Sequence, residues 1–198
     1  MEILRGKQSS MLDSAALTAH LAGSAHLHID LGTGDGRYAV QLAHASPSLF
    51  VIGVDACREN LRERSRRAPG NCLFVVANAL TLPAELDGCA SAVSINFPWG
   101  SLLDGLLHDD STLMTGLRRL MRPSATLEVR LNGGALHEAG WAFDAGAARV
   151  ESVLRLSGFS TAPAVPIPSA ALRTFHSTWA KRIAFGRDPR AALITAHR

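Results

Sequence analysis

The run His28-Ile29-Asp30-Leu31-Gly32-Thr33-Gly34-Asp35-Gly36-Arg37 carries the topology of this chain. An apolar stretch enters three alternating glycines, and a helix-compatible stretch, Arg37 to Ala45, leaves them. Glycine permits a tight strand-to-helix turn and lets backbone approach a ligand where a side chain would collide. Leu27 to Leu31 therefore reads as a buried strand, and Ser46-Pro47 stops the helix. Leu49 to Val54 is a second strand with Asp55 at its end, followed by a helix over Arg58 to Arg67 that Pro69-Gly70 closes. Cys72 to Ala77 and Ala90 to Ile95 are further apolar strands. Ser111 to Met121 is a helix ended by Pro123, and Thr126 to Leu131 is a fifth strand. Near-continuous apolar strands alternating with helices predict an α/β fold with a mostly parallel sheet and helices on both faces. Such a sheet takes its ligand beyond the carboxyl ends of its strands, where strand order reverses.

After Asn132 the pattern loosens. Ala147 to Leu156 reads as a helix stopped by Gly158. Pro163, Pro166 and Pro168 make Thr161 to Ser169 an edge strand or a loop, and Thr174 to Phe185 is expected as a final strand.

Composition bounds the function classes. The 198 residues suit one domain, 1–198, with a short N-terminal extension over 1–12, and 47% apolar residues suffice for a packed core. No apolar run reaches the roughly 20 residues that span a bilayer. Met1 to Ser10 lacks the apolar core of an export signal, so a cytoplasmic protein is expected. Cys57, Cys72 and Cys89 lack metal-ligand spacing and are expected as reduced thiols packed in strands or helices, with no metal site. The net charge is +3, but it is unevenly spread. Arg5 and Lys7 lie near the start, five arginines fall between Arg58 and Arg67, and six cations follow from Arg173 onward. Three basic clusters on a small chain point to a polyanion partner.

The glycine loop is spaced G-x-G-x-G, and Arg37 stands where the dinucleotide fingerprint places its third glycine. That opposes a pyrophosphate seated on the helix N-terminus. S-adenosylmethionine instead offers a cationic ammonium and sulfonium, which the acids Asp30 and Asp35 would favour. Asp55 can accept both hydroxyls of a ribose, a feature shared with nicotinamide enzymes. Strand four ends in Asn96-Phe97-Pro98-Trp99-Gly100-Ser101, where adenine methyltransferases place an Asn/Asp-Pro-Pro-aromatic corner. Proline fixes such a turn, and the aromatic ring can stack on an extruded base. Trp179, in the basic tail, could complete a sandwich around one purine, whereas Trp141 reads as a packing residue. These residues alone leave open several activities. They fit a methyltransferase acting on RNA or a small molecule, a nicotinamide-dependent oxidoreductase, and an RNA-binding protein without turnover.

Taken together, the blocks Ile3-Leu4-Arg5-Gly6-Lys7, Ile29 to Arg37, Leu82-Pro83, Phe97 to Leu103 and Ser177 to Arg187 are specific. In this order the chain resembles the aminoglycoside-resistance methyltransferases that modify N1 of adenine-1408 in 16S ribosomal RNA. The resemblance implies a Rossmann-like, class I S-adenosylmethionine-dependent fold with a seven-stranded sheet. It implies that Asp30 and the Gly32-Thr33-Gly34 backbone hold the methionine end, that Asp55 holds the ribose and that the Ala79 backbone meets the cofactor adenine. Ser101 and Ser177 would lie near the cofactor, and Trp99 and Trp179 would clasp the target base. Lys7, Arg66, Arg67, Arg187 and Arg190 would contact RNA phosphates of the 30S subunit, approached by a monomer. N1 of adenine carries a lone pair at neutral pH, so transfer would rest on alignment rather than on a general base or a metal. Flipping the base costs a few kcal/mol, and stacking returns about 1–3 kcal/mol per base.

Overall fold

The computed structural model describes residues 1–186 and 188–198. Five strands build the parallel centre: β3 (His26–Leu31), β4 (Leu49–Asp55), β5 (Cys72–Val76), β6 (Ala90–Asn96) and β7 (Met121–Asn132). β1 (Glu2–Arg5) and β2 (Gln8–Met11) form a hairpin on the β5 edge. On the other edge β10 (Ala191–His197) runs antiparallel to β7, and the two-residue strands β8 (Ser160–Thr161) and β9 (Val165–Pro166) pair with it. The path is β2-β1-β5-β4-β3-β6-β7-β10-β8, and β9, off this path on β10, makes ten strands among the described residues. The chain proceeds from β3 outward through β4 to β5 and then returns to the opposite flank of β3 with β6. The order therefore reverses between the ends of β3 and β6.

Period two along the strands sorts side chains onto two faces. In β4, Phe50, Ile52 and Val54 join the larger core with α1 (Ser14–Leu21), α4 (Gly100–His108), α5 (Ser111–Leu120) and α7 (Phe143–Leu156). Val51 faces the other way, against Ala39 and Ala43 of α2 (Arg37–Ala45) and Leu61 of α3 (Arg58–Arg66). β4 is thus buried on both sides, which is why it reads as a near-continuous apolar run, whereas β7 alternates buried and half-buried residues.

Three expectations need correction, and the loosely patterned stretch after Asn132 takes a definite form. The sheet has ten strands rather than seven, because residues 1–12 enter it as a hairpin and β9 adds a short rung. Thr174 to Phe185 is not a strand. It holds the end of α8 (Ser169–Thr174) and then α9 (Thr178–Ala184), whose buried Ala180, Ile183 and Ala184 recur at helical spacing. The stretch after Asn132 is ordered as α6 (Gly133–Glu138), capped by the Asn132 Oδ1, which accepts from the Ala135 N–H at 2.8 Å. Of the cysteines, Cys72 is buried and Cys89 half-buried, but Cys57 is exposed ahead of α3.

Candidate active site

The glycine turn opens at the reversal point. Gly34 adopts φ +58° and borders open space, whereas a Cβ on Gly36, at φ +72°, would lie 2.4 Å from the Phe74 ring. The first glycine serves the cleft and the second serves packing. The turn is pinned to the neighbouring strand by bonds from the Gly32 and Thr33 amides to the Val54 carbonyl at 2.8 and 3.0 Å.

Asp30 is the penultimate residue of β3 and is 1% exposed. Its carboxylate accepts from Ser94 Oγ and Asn96 Nδ2, each at 2.8 Å, and from the Thr33 hydroxyl. Burial pushes its pKa up, against the pull of those three donors and of Arg130. A carboxylate so buried is primed for a cationic partner. Asp55 accepts from the Gly34 amide through Oδ2 and the Cys57 amide through Oδ1, both at 2.8 Å. His28, beneath Asp30, bonds Ser94 Oγ at 2.9 Å, and burial holds its pKa down to about 4, so it is neutral at pH 7.

Two adjoining cavities of about 250 and 300 Å³ share Gly32, Gly34, Asn60, Asn96 and Trp179. Asp55, Ala79, Ser101 and Trp99 line the first, and Asp30, Thr33 and Ser177 line the second. Every cofactor and base residue expected from the sequence thus meets in one cleft. Asp55 lines one cavity and Asp30 the other, and the indole N–H of Trp99 is buried without a hydrogen-bond partner among the described residues. That donor set fits a ligand with a cationic amino-acid end and a ribose.

Trp99 follows Phe97, whose φ of +55° turns the chain sharply out of β6. Trp179 sits on α9, which is fastened by Leu172, Ile183 and Ala184 against Phe97 and by Thr178 Oγ1 donating to Asp35 at 2.8 Å. The two indoles meet with centroids 5.2 Å apart and planes 33° apart, and the Arg182 guanidinium lies 5.1 Å from the Trp179 ring centre. The rings are in mutual contact. A purine between them needs about 7 Å, twice the stacking rise of roughly 3.4 Å.

The basic residues divide. The hairpin turn docks on α3 through the Gly6 amide and Ser65 Oγ at 2.9 Å, which brings Lys7 beside Arg62 and Arg66 in one groove. Arg67 is exposed at the end of the same helix. Arg190 is held away from that role by a bidentate pair with Asp188, at 2.8 and 2.7 Å, and it lies over Phe143. Arg187 lies outside the described residues. Asn96, Thr178, Arg130 and Phe175 were not legible as site residues. The charged pair Glu128 and Arg130 within an apolar strand was the available signal.

The fold and this donor set define a class I S-adenosylmethionine-dependent methyltransferase. The family described as NpmA, 16S rRNA (adenine(1408)-N(1))-methyltransferase, matches residues 2–198, and the chain belongs to it. It is 30% identical to the 16S rRNA (adenine(1408)-N(1))-methyltransferase of Escherichia coli, over all of this chain and 98% of that one. It superposes with a TM-score of 0.87 on the same enzyme of Catenulisporales acidiphilia, a tryptophan-to-alanine mutant crystallised with its cosubstrate SAM. That pair is 26% identical, over 100% of this chain and 96% of the other. The antibiotic-resistance methyltransferase Kmr is 33% identical with a TM-score of 0.80, over 100% and 98% of the two chains. Among the described residues no helix is long and apolar enough to cross a membrane.

Proposed function

We propose that the chain methylates N1 of adenine-1408 in 16S ribosomal RNA within the 30S subunit, with the base held between Trp99 and Trp179. One observation carries this reading. Two indoles from distant parts of the chain meet at the wall of a cleft that Asp30 and Asp55 line. S-adenosylmethionine, when bound, supplies an electrophilic methyl group to which the N1 lone pair can be directed. Asp30 and the Gly32-Thr33-Gly34 backbone bind its ammonium end. Asp55 takes the ribose, the Ala79 backbone faces its adenine, and Ser101 and Ser177 close the sides. The indole centroids are 5.2 Å apart, so the two rings must separate by about 2 Å for a purine to enter between them. Lys7, Arg66 and Arg67 grip RNA phosphates; Arg187 is proposed as a further contact, and Arg190 becomes one only by leaving Asp188. The test is primer extension on 30S subunits treated with the protein and cofactor. N1 methylation blocks Watson–Crick pairing, so a stop beside adenine-1408 is expected. No stop there, or a stop elsewhere, overturns the assignment.

A further inference from the structure

Even-numbered residues of three adjacent strands form a polar stripe across one sheet face. Asp30 pairs in register with Ser94, Ser94 with Glu128, and Asn96 with Arg130. The stripe emerges on the α2 side, opposite the larger core into which Ile29, Ile95, Val129 and Leu131 point. At its far end the Arg130 side chain is only 14% exposed. Its guanidinium does three things at once. Nη2 meets Glu128 Oε2 at 2.7 Å, Nη1 donates to Asn96 Oδ1 at 3.1 Å, and its Cζ lies 5.0 Å from the Phe175 ring centre. A planar guanidinium can bond along its edge and stack on its face together, which an ammonium cannot.

Two of these contacts lead into the cleft lining, Asn96 to its strand half on β3 and β6 and Phe175 to its helical half on α9. Because Arg130 donates to Asn96 Oδ1, the amide must turn its Nδ2 toward Asp30, where it donates at 2.8 Å. Phe175 also stacks on Tyr38, with centroids 5.0 Å apart, and meets Phe97 edge-on at 5.8 Å. It stands two residues before Ser177 and four before Trp179. The Arg130 carbonyl additionally accepts from the Phe97 amide at 2.7 Å, which steadies the corner that delivers Trp99.

We infer that Arg130 is a positioning residue coupling the two halves of the cleft: it orients Asn96 against Asp30, and through Phe175 it seats the helix that carries Ser177 and Trp179. The inference rests on the reading that Asp30 holds the cofactor and Trp179 the base. A simple ion-pair role with Glu128 would leave both halves unaffected.

The test uses the full chain with two readouts, cofactor Kd by calorimetry and the exciton couplet of the Trp99–Trp179 pair in circular dichroism. Arg130→Met should raise Kd about tenfold, the effect of a lost charge-assisted contact, and flatten the couplet. Asn96→Ala should raise Kd with the couplet kept, and Phe175→Leu should flatten the couplet with a smaller rise in Kd than Asn96→Ala, since it reaches the cofactor only through Ser177. If Arg130→Met does not fold, Arg130→Lys is judged by the same two readouts, and both should move. An Arg130 variant that shifts only one readout, or neither, overturns the coupling. Asp30→Asn runs in the same series: undiminished cofactor binding there overturns the underlying site assignment instead.

Discussion

Asp55 braces the glycine turn while facing the cleft, since its two oxygens accept from the Gly34 and Cys57 amides. Its remaining lone pairs are those available to a ribose. Asp55→Ala should therefore weaken cofactor binding roughly ten- to a hundredfold, measured by calorimetry, and parent-like affinity would remove it from the site. His28 gives a pH signature. Burial lowers its pKa from 6.5 to about 4, so below pH 6.5 the unfolded chain takes up a proton that the folded chain refuses. Its contribution to stability is complete above about pH 6.5 and is lost as pH falls toward about 4. Between about pH 7 and about pH 4.5 the stability gap separating the parent from His28→Gln should narrow by about 2–3 kcal/mol in urea titrations. A gap that stays constant across that range would mean His28 is not held neutral.

At the scale of elements, strands such as β4 and the glycine turn were legible because burial on both faces leaves a near-continuous apolar run. The tail was harder. α9 is a seven-residue helix whose buried face is Ala180, Ile183 and Ala184, too short and too weakly apolar for its helical spacing to stand out in the sequence. α6 was hidden for a similar reason, its one signal being the cap at Asn132. The polar stripe was hidden differently: Glu128 and Arg130 alternate with Leu127, Val129 and Leu131, which is also the pattern of a solvated sheet face. Trp99 and Trp179 were legible by residue type, but their mutual contact came from the seating of α9, through Ile183 and Ala184, on Leu172 and Phe97. Because Trp179 is 38% exposed, truncating it removes mainly a ring–ring contact. Trp179→Ala should cost about 1 kcal/mol of stability, far from the 3–5 kcal/mol of a core tryptophan, yet abolish methylation. Full methylation by a variant that binds 30S normally would exclude Trp179 from the reaction.

For the whole molecule, the fold converts scattered charge into surface. Lys7 and Arg66 are far apart in sequence, and the docking of the Gly6 turn on Ser65 is what places them in one groove. The net charge of +3 alone gives no such direction. Each cation that replaces a counterion on phosphate adds about 0.9 to the slope of log K against log salt on duplex nucleic acid. Affinity for 30S subunits should therefore fall steeply with salt, and Arg66→Glu with Arg67→Glu should both weaken it and flatten the slope while leaving cofactor Kd unchanged. Arg190 should behave otherwise. Its bidentate pair with Asp188 already neutralises it, and that contact holds the Asp188 carboxyl below its ordinary pKa. Drawing Arg190 onto a phosphate means breaking this pair, so the gain is a difference between two similar charge-assisted contacts. Arg190→Ala should then cost less 30S affinity than Arg66→Ala and change the slope by less. Asp188→Asn, which frees the guanidinium, should make binding tighter and more salt-sensitive. If Arg190→Ala proves the more damaging and Asp188→Asn has no effect, the pair must open on the ribosome at little cost, and the weight of the docking surface moves from the hairpin groove to the tail.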